Sequence, residues 1–155
     1  MKDLKPRILF LDDEPQNLVS FTSNLRDSFE VFTADSPIDA YSIIEREKIQ
    51  IVLADHNMPS MSGVEFLEVM RKDFPHVVRI LSTAFAEMVS VRDAINNGSI
   101  FRLITKPFDF KEIQLVLENA VSMLDENHDR DEMLRKLQKQ NQQYEFILRQ
   151  RLLSH

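Results

Sequence analysis

The chain of 155 residues carries 25 acidic and 19 basic side chains, a formal net charge of −6, and 43% of its residues are apolar. That is length for one domain plus an appendage, enough apolar content for a core, and a charge that argues against nucleic acid or an anionic membrane as partner. There is no cysteine, which excludes disulfides, thiolate chemistry and cysteine-based zinc sites, and Gly63 and Gly98 are the two glycines, which excludes glycine-rich nucleotide loops.

Strand-like and helix-like patterns alternate along the chain. Ile8–Leu11 is a fully apolar run, as expected for a strand buried on both faces. Pro15 to about Ser28 follows, with Leu18, Phe21, Leu25 and Phe29 at helical spacing. Val31–Ala34 reads as a second strand. Ser36-Pro37 reads as an N-cap with proline at the first helical position, ahead of the apolar stripe Ala40, Ile43 and Ile44. Ile49–Ala54 is the third and most central strand. A loop over residues 57–63 leads to a helix from Val64 to Lys72, broken by Pro75 before the strand Val77–Ser82. A fourth helix is expected from about Glu87 to Asn97, with Gly98 as a left-handed cap. Ile100–Ile104 is the fifth strand, and Asp109 opens a fifth helix carrying Ile113, Val116, Leu117 and Val121. The expectation is a (βα)5 chain, an α/β sandwich with a five-stranded parallel sheet.

The last helical pattern does not stop. No glycine or proline occurs from residue 110 onward. Placing heptad position a at Ala120, Asn127, Leu134, Asn141 and Leu148 puts Met123, Arg130, Leu137, Tyr144 and Arg151 at d. An asparagine at an a position resembles the buried polar residue that fixes register in parallel dimers. We expect residues 123–155 to be a coiled-coil linker that makes a homodimer, with a solvated single helix as the plainer alternative. The pattern runs on without a stop signal, so an output domain beyond it is also expected.

Four apolar runs end in polar or charged residues: Asp12 and Asp13, Asp55, Thr83, and Lys106. In an open parallel sheet these ends share one edge, where such folds bind ligands. Three carboxylates brought together repel one another unless a cation intervenes, and Lys106 supplies only one positive charge. A divalent hard cation closes the balance, and all-oxygen ligands suit Mg²⁺ better than zinc. Asp55, alone at the end of the central strand, is the candidate nucleophile, since a carboxylate can take a phosphoryl group as an acyl phosphate. Thr83 and Lys106 suit neutralisation of its oxygens. The plainer readings are that Asp12-Asp13 caps a helix, that Asp55 and Thr83 cap loops, and that Lys106 is a surface lysine. His56 follows the nucleophile and is expected to be a solvated loop histidine pointing away from it.

These residues resemble the receiver domain of two-component response regulators. The matching motifs are Phe10-Leu11-Asp12-Asp13-Glu14-Pro15, Ala54-Asp55-His56-Asn57-Met58-Pro59, Ser82-Thr83-Ala84 and Thr105-Lys106-Pro107-Phe108, each after its own strand. The resemblance implies a flavodoxin-like doubly wound fold with strand order 2-1-3-4-5, over residues 1–122. It implies that Asp55 is phosphorylated by a sensor histidine kinase or phosphotransfer protein. Asp12, Asp13 and Asp55 would hold Mg²⁺ together with the backbone carbonyl of Asn57, and Thr83 and Lys106 would contact the phosphoryl group. A cis peptide at Lys106–Pro107 is implied too. Such a chain would be a phosphoacceptor rather than an enzyme.

Two positions invite comment. Receivers usually carry Tyr or Phe three residues before the motif lysine, where this chain has Leu103. Phe101 lies on the same strand face, one pair further from the site. Phe85, two residues after Thr83, is expected to shield an acyl phosphate from water and slow its hydrolysis. Two competing functions are an adaptor that dimerises without phosphorylation, its switch disabled at Leu103, and a magnesium-dependent phosphohydrolase of the haloacid dehalogenase type. The latter places its nucleophile in Asp-x-Asp after the first strand, where this chain has Asp12-Asp13-Glu14. The segment from Phe101 to Phe108 with a polar helix after it resembles receivers coupled to cyclic-dinucleotide phosphodiesterases of the HD type. No apolar run approaches the roughly 18 residues of a membrane helix, and the run after Arg7 is too short for a signal-peptide core, so a soluble cytoplasmic protein is expected.

Overall fold

A computed structural model describes residues 4–154, apart from the side chain of Phe85. The elements in chain order are β1 (Arg7–Leu11), α1 (Pro15–Leu25), β2 (Glu30–Ala34), α2 (Pro37–Arg46), β3 (Ile51–Asp55), α3 (Gly63–Asp73), β4 (Val78–Ala84), α4 (Arg92–Asn96), β5 (Arg102–Lys106) and α5 (Phe110–Leu153). All pairings are parallel and the strand order is β2-β1-β3-β4-β5. The order reverses at β1/β3, so the carboxyl ends of those two strands flank the crevice typical of open α/β sheets.

Alternation within the strands supplies both faces of the sheet. Leu9, Leu11, Val52, Ala54 and Leu81 pack with Ala40, Ile44, Phe66, Leu67 and Met70 from α2 and α3. The residues of opposite parity, Ile8, Phe10, Ile51, Leu53 and Ile80, are also fully buried. Phe10 stacks on Phe21 of α1 with ring centroids 4.1 Å apart. Each such side chain contributes roughly 1.5–3 kcal/mol on burial, which is why β1 and β3 read as unbroken apolar runs.

The local signals account for most boundaries. Ser36 caps α2, accepting from Asp39 N at 3.3 Å ahead of Pro37. Ser62 caps α3, accepting from Glu65 N at 3.1 Å while its hydroxyl donates to Glu65 Oε1 at 3.2 Å. Gly98 follows α4 with φ +83°, a backbone conformation that costs a side chain strain.

The fourth helix is shorter than the sequence leads one to expect. Phe85–Glu87 is a 3-10 turn, turns follow, and α4 begins at Arg92. The carbonyl of Glu87 is taken by Ser90, whose N–H and hydroxyl donate to it at 3.1 and 2.7 Å. That local bonding competes with helix formation, and Val89 and Val91 are weak helix formers. Strand β5 is displaced two residues along the chain from Ile100–Ile104, which brings Lys106 into the strand.

The chain divides into two compact units, Met1–Ala120 and Val121–His155. In the first, α5 buries Ile113, Leu117 and Ala120. In the second, Leu134, Leu137, Tyr144 and Leu148, four of the expected a and d residues, are 50–65% exposed. Met133 and Ile147, beside that stripe, are exposed as well. No helix among the described residues is long and apolar enough to cross a membrane.

Candidate functional site

Two strand ends deliver the acidic residues to one place. Asp55 is the last residue of β3, and Asp12 and Asp13 follow β1. One carboxylate oxygen from each lies within 4.8 Å of the others. Asp12 is fully buried and Asp55 nearly so, whereas Asp13 is exposed. Asp12 is held from both sides, by Glu14 N–H donating to Oδ1 at 2.9 Å and Asn17 Nδ2 donating to Oδ2 at 3.0 Å. Lys106, from the end of β5, places its ammonium 2.9 Å from Asp55 Oδ1. The Lys106–Pro107 peptide is cis.

The electrostatics follow from that crowding. Burial pushes the Asp12 carboxyl up from the usual carboxylate range; the Glu14 and Asn17 hydrogen bonds oppose this, and the Asp55 charge adds to it. For Lys106, burial acts downward but is outweighed by the hydrogen bond and charge of Asp55, with Asp12 and Glu14 adding, so its ammonium is held above the ordinary lysine range. Three carboxylates therefore face one ammonium. The donors are all oxygen, two of the three carboxylates are buried, and two negative charges lack compensation. Those features fit a hard divalent cation such as Mg²⁺.

Thr83 closes the site from β4. It is 1% exposed, and its hydroxyl lies 3.3 Å from Glu87 Oε2 and 3.4 Å from Ala84 O. Asn57 donates its backbone N–H to Asp55 Oδ1 at 3.4 Å, and its side-chain amide donates to Glu87 Oε1 at 2.7 Å. Asp12, Asp13, Asp55 and Lys106 thus lie together at the sheet edge, and Thr83 is linked to them through Glu87 and Asn57. The side chain of Phe85 lies outside the described residues, so its expected shielding role has no structural account.

Sequence reasoning missed other participants. Asn17 reads as an ordinary helix residue, yet it orients Asp12. Glu87 reads as the start of a helix, yet it bridges Asn57 and Thr83. Gly63 reads as the end of a loop, but a Cβ there would collide with the Asp55 carbonyl and come within 2.6 Å of Leu81 Cδ1. His56 departs from the expectation of a solvated loop residue: it is half-buried and its Nδ1 is buried without a partner among the described residues. Its backbone is pinned at the strand end, His56 N donating to Ser82 O at 2.9 Å and its carbonyl accepting from Gly63 N at 3.0 Å. Leu103 pairs with Leu81 and packs half-buried on the core.

A doubly wound parallel sheet with acidic residues clustered at its switch point defines a ligand-binding α/β domain. The family model described as the response regulator receiver domain matches residues 8–118, and the chain belongs to that family. Among curated relatives, the hydrogenase transcriptional regulatory protein HoxA of Cupriavidus necator is 30% identical over 108 residues, 70% of this chain and 22% of that protein. The regulatory protein AtoC of Escherichia coli is 32% identical over 119 residues, 76% of this chain and 25% of that protein. The chain thus spans about a quarter of the length of these regulators. Among solved structures, the signal receiver domain of an HD domain-containing protein from Pseudomonas fluorescens superposes with TM-score 0.74 at 25% identity, covering 79% of this chain and 98% of that one. The family match favours neither of the two competing functions weighed from the sequence.

Proposed function

We propose that the chain is the phosphoacceptor of a two-component relay and that Asp55 takes the phosphoryl group. The observation that carries this reading is the position of Asp55: buried at the switch point, 2.9 Å from the Lys106 ammonium and beside Asp12 and Asp13. An Asp55 oxygen would form the new O–P bond as the P–N bond to a donor phosphohistidine breaks, the electron pair leaving with the imidazole nitrogen. Lys106 and Thr83 would donate to the phosphoryl oxygens, which are the sites of charge in such a transfer. Asp12, Asp13 and Asp55, with the backbone carbonyl of Asn57, would hold Mg²⁺. When bound, that ion neutralises charge between the carboxylates and the incoming phosphoryl group.

The donor would be a sensor histidine kinase or a phosphotransfer protein, and the working compartment the cytoplasm. Residues 1–122 would form the receiver. Residues 123–155 would pair with a second copy through Leu134, Leu137, Asn141, Tyr144 and Leu148, linking the receiver to an output module. The chain would act as a phosphoacceptor and not as an enzyme in its own right. The similarity to the receiver of an HD domain-containing protein supports an output of that type, while the curated relatives are transcriptional regulators.

Beryllofluoride tests the acceptor role without a kinase. With Mg²⁺ present, fluorine NMR is expected to show one bound species in the native chain and none in Asp55→Ala. Equal binding by Asp55→Ala would overturn the assignment.

A further inference from the structure

Glu87 closes the 3-10 turn after β4 and reaches back over the site. Its two carboxylate oxygens are used separately, Oε1 by the Asn57 amide at 2.7 Å and Oε2 by the Thr83 hydroxyl at 3.3 Å. Its own carbonyl accepts from the N–H and hydroxyl of Ser90. One residue therefore ties the β3–α3 loop, the end of β4 and the segment leading into α4. The two residues it holds are neighbours of Asp55 through the backbone. Asn57 N–H is on Asp55 Oδ1, and Thr83 follows Ser82, the β4 partner of Asp55.

A hydroxyl has one proton to give. While Thr83 donates to Glu87, it has none for an oxygen of a group bound at Asp55. Glu87 also adds a carboxylate near a cluster that already holds three, and a phosphoryl group arriving there meets a like charge. Both effects set Glu87 against the phosphorylated arrangement and in favour of the one described here.

We propose that Glu87 is a positioning residue for phosphoryl transfer, a latch that holds the Thr83 hydroxyl and the segment after β4 until phosphorylation of Asp55 draws Thr83 away. This role deepens the phosphoacceptor reading and rests on it. It gives the chain a way to couple Thr83 to the β4–α4 segment through a carboxylate, with no aromatic at Leu103 required. The segment it restrains contains Val89, 74% exposed, and the short helix α4.

The test uses the full chain, acetyl phosphate and Mg²⁺, with loading followed by intact mass. Glu87→Ala is expected to load about tenfold faster than the native chain, the effect of losing a hydrogen bond to a charged group. In a Thr83→Ala background the same substitution is expected to speed loading by no more than about threefold, the part due to lost charge repulsion, because pairs that act through one another are not additive. A merely structural role would leave the Glu87→Ala effect intact in that background. Without any phosphodonor, hydrogen exchange at the Ser90 and Arg92 amides is expected to quicken in Glu87→Ala. Native-like loading by Glu87→Ala, or an undiminished effect in the Thr83→Ala background, overturns the latch and leaves the acceptor reading standing. Absence of an Asp55-dependent adduct in every variant overturns both.

Discussion

At Asp12, burial and charge work against each other. Its carboxyl is buried beside Asp55, and its folded-state pKa lies above the ordinary value of 3.8. For such a group the favourable contribution is complete below the unfolded pKa and is lost as pH rises through the folded one. At neutral pH the ionised Asp12 therefore costs the metal-free protein stability. With a chelator at pH 7, Asp12→Asn is expected to melt at a higher temperature than the native chain, and the difference is expected to shrink as the pH falls toward 4. Added Mg²⁺ should raise the native melting temperature and leave that of Asp12→Asn nearly unmoved, since only a ligand that binds the folded state stabilises it. A melting temperature of Asp12→Asn at or below the native value would count against burial of an ionised carboxylate there.

At the scale of elements, the site depends on how closely α3 starts against the end of β3. Gly63 permits that approach, because a Cβ would overlap the Asp55 carbonyl and crowd Leu81. Gly63→Ala is expected to destabilise the protein by about 1–3 kcal/mol, the usual range for overpacking, and to displace Asp55, measurable by urea denaturation and by weakened beryllofluoride binding. Much of this level was legible in advance. Unbroken apolar runs marked β1 and β3, and Ser36-Pro37 and Gly98 marked helix ends, because each signal is local. The strand-end positions of Asp12, Asp55, Thr83 and Lys106 followed from the same runs. The start of α4 was not legible, since it is decided by Ser90 capturing the Glu87 carbonyl and by Glu87 turning toward Asn57 and Thr83. Gly63 was equally hidden: nothing in a glycine says which carbonyl lies behind it. The half-burial of His56 is hidden too, since it depends on a place beside Ser82 of another strand that no local pattern announces.

For the whole molecule, the receiver and the segment after it pose separate questions. Residues from Val121 onward present Leu134, Leu137, Tyr144 and Leu148 to solvent, an apolar stripe at coiled-coil spacing interrupted by Asn141. Sedimentation equilibrium is expected to give a dimer for the full chain, a monomer once residues 123–155 are removed, and a weaker dimer for Leu137→Asp. A monomeric full chain at tens of micromolar would leave the solvated helix as the better account.

Whether Asp55 accepts a phosphoryl group can be read by peptide mapping after incubation with acetyl phosphate and Mg²⁺. One phosphoryl group per chain is expected, on the peptide containing Asp55, lost with a chelator and absent from Asp55→Ala. Modification elsewhere, or an adduct that survives Asp55→Ala, would contradict Asp55 as the acceptor.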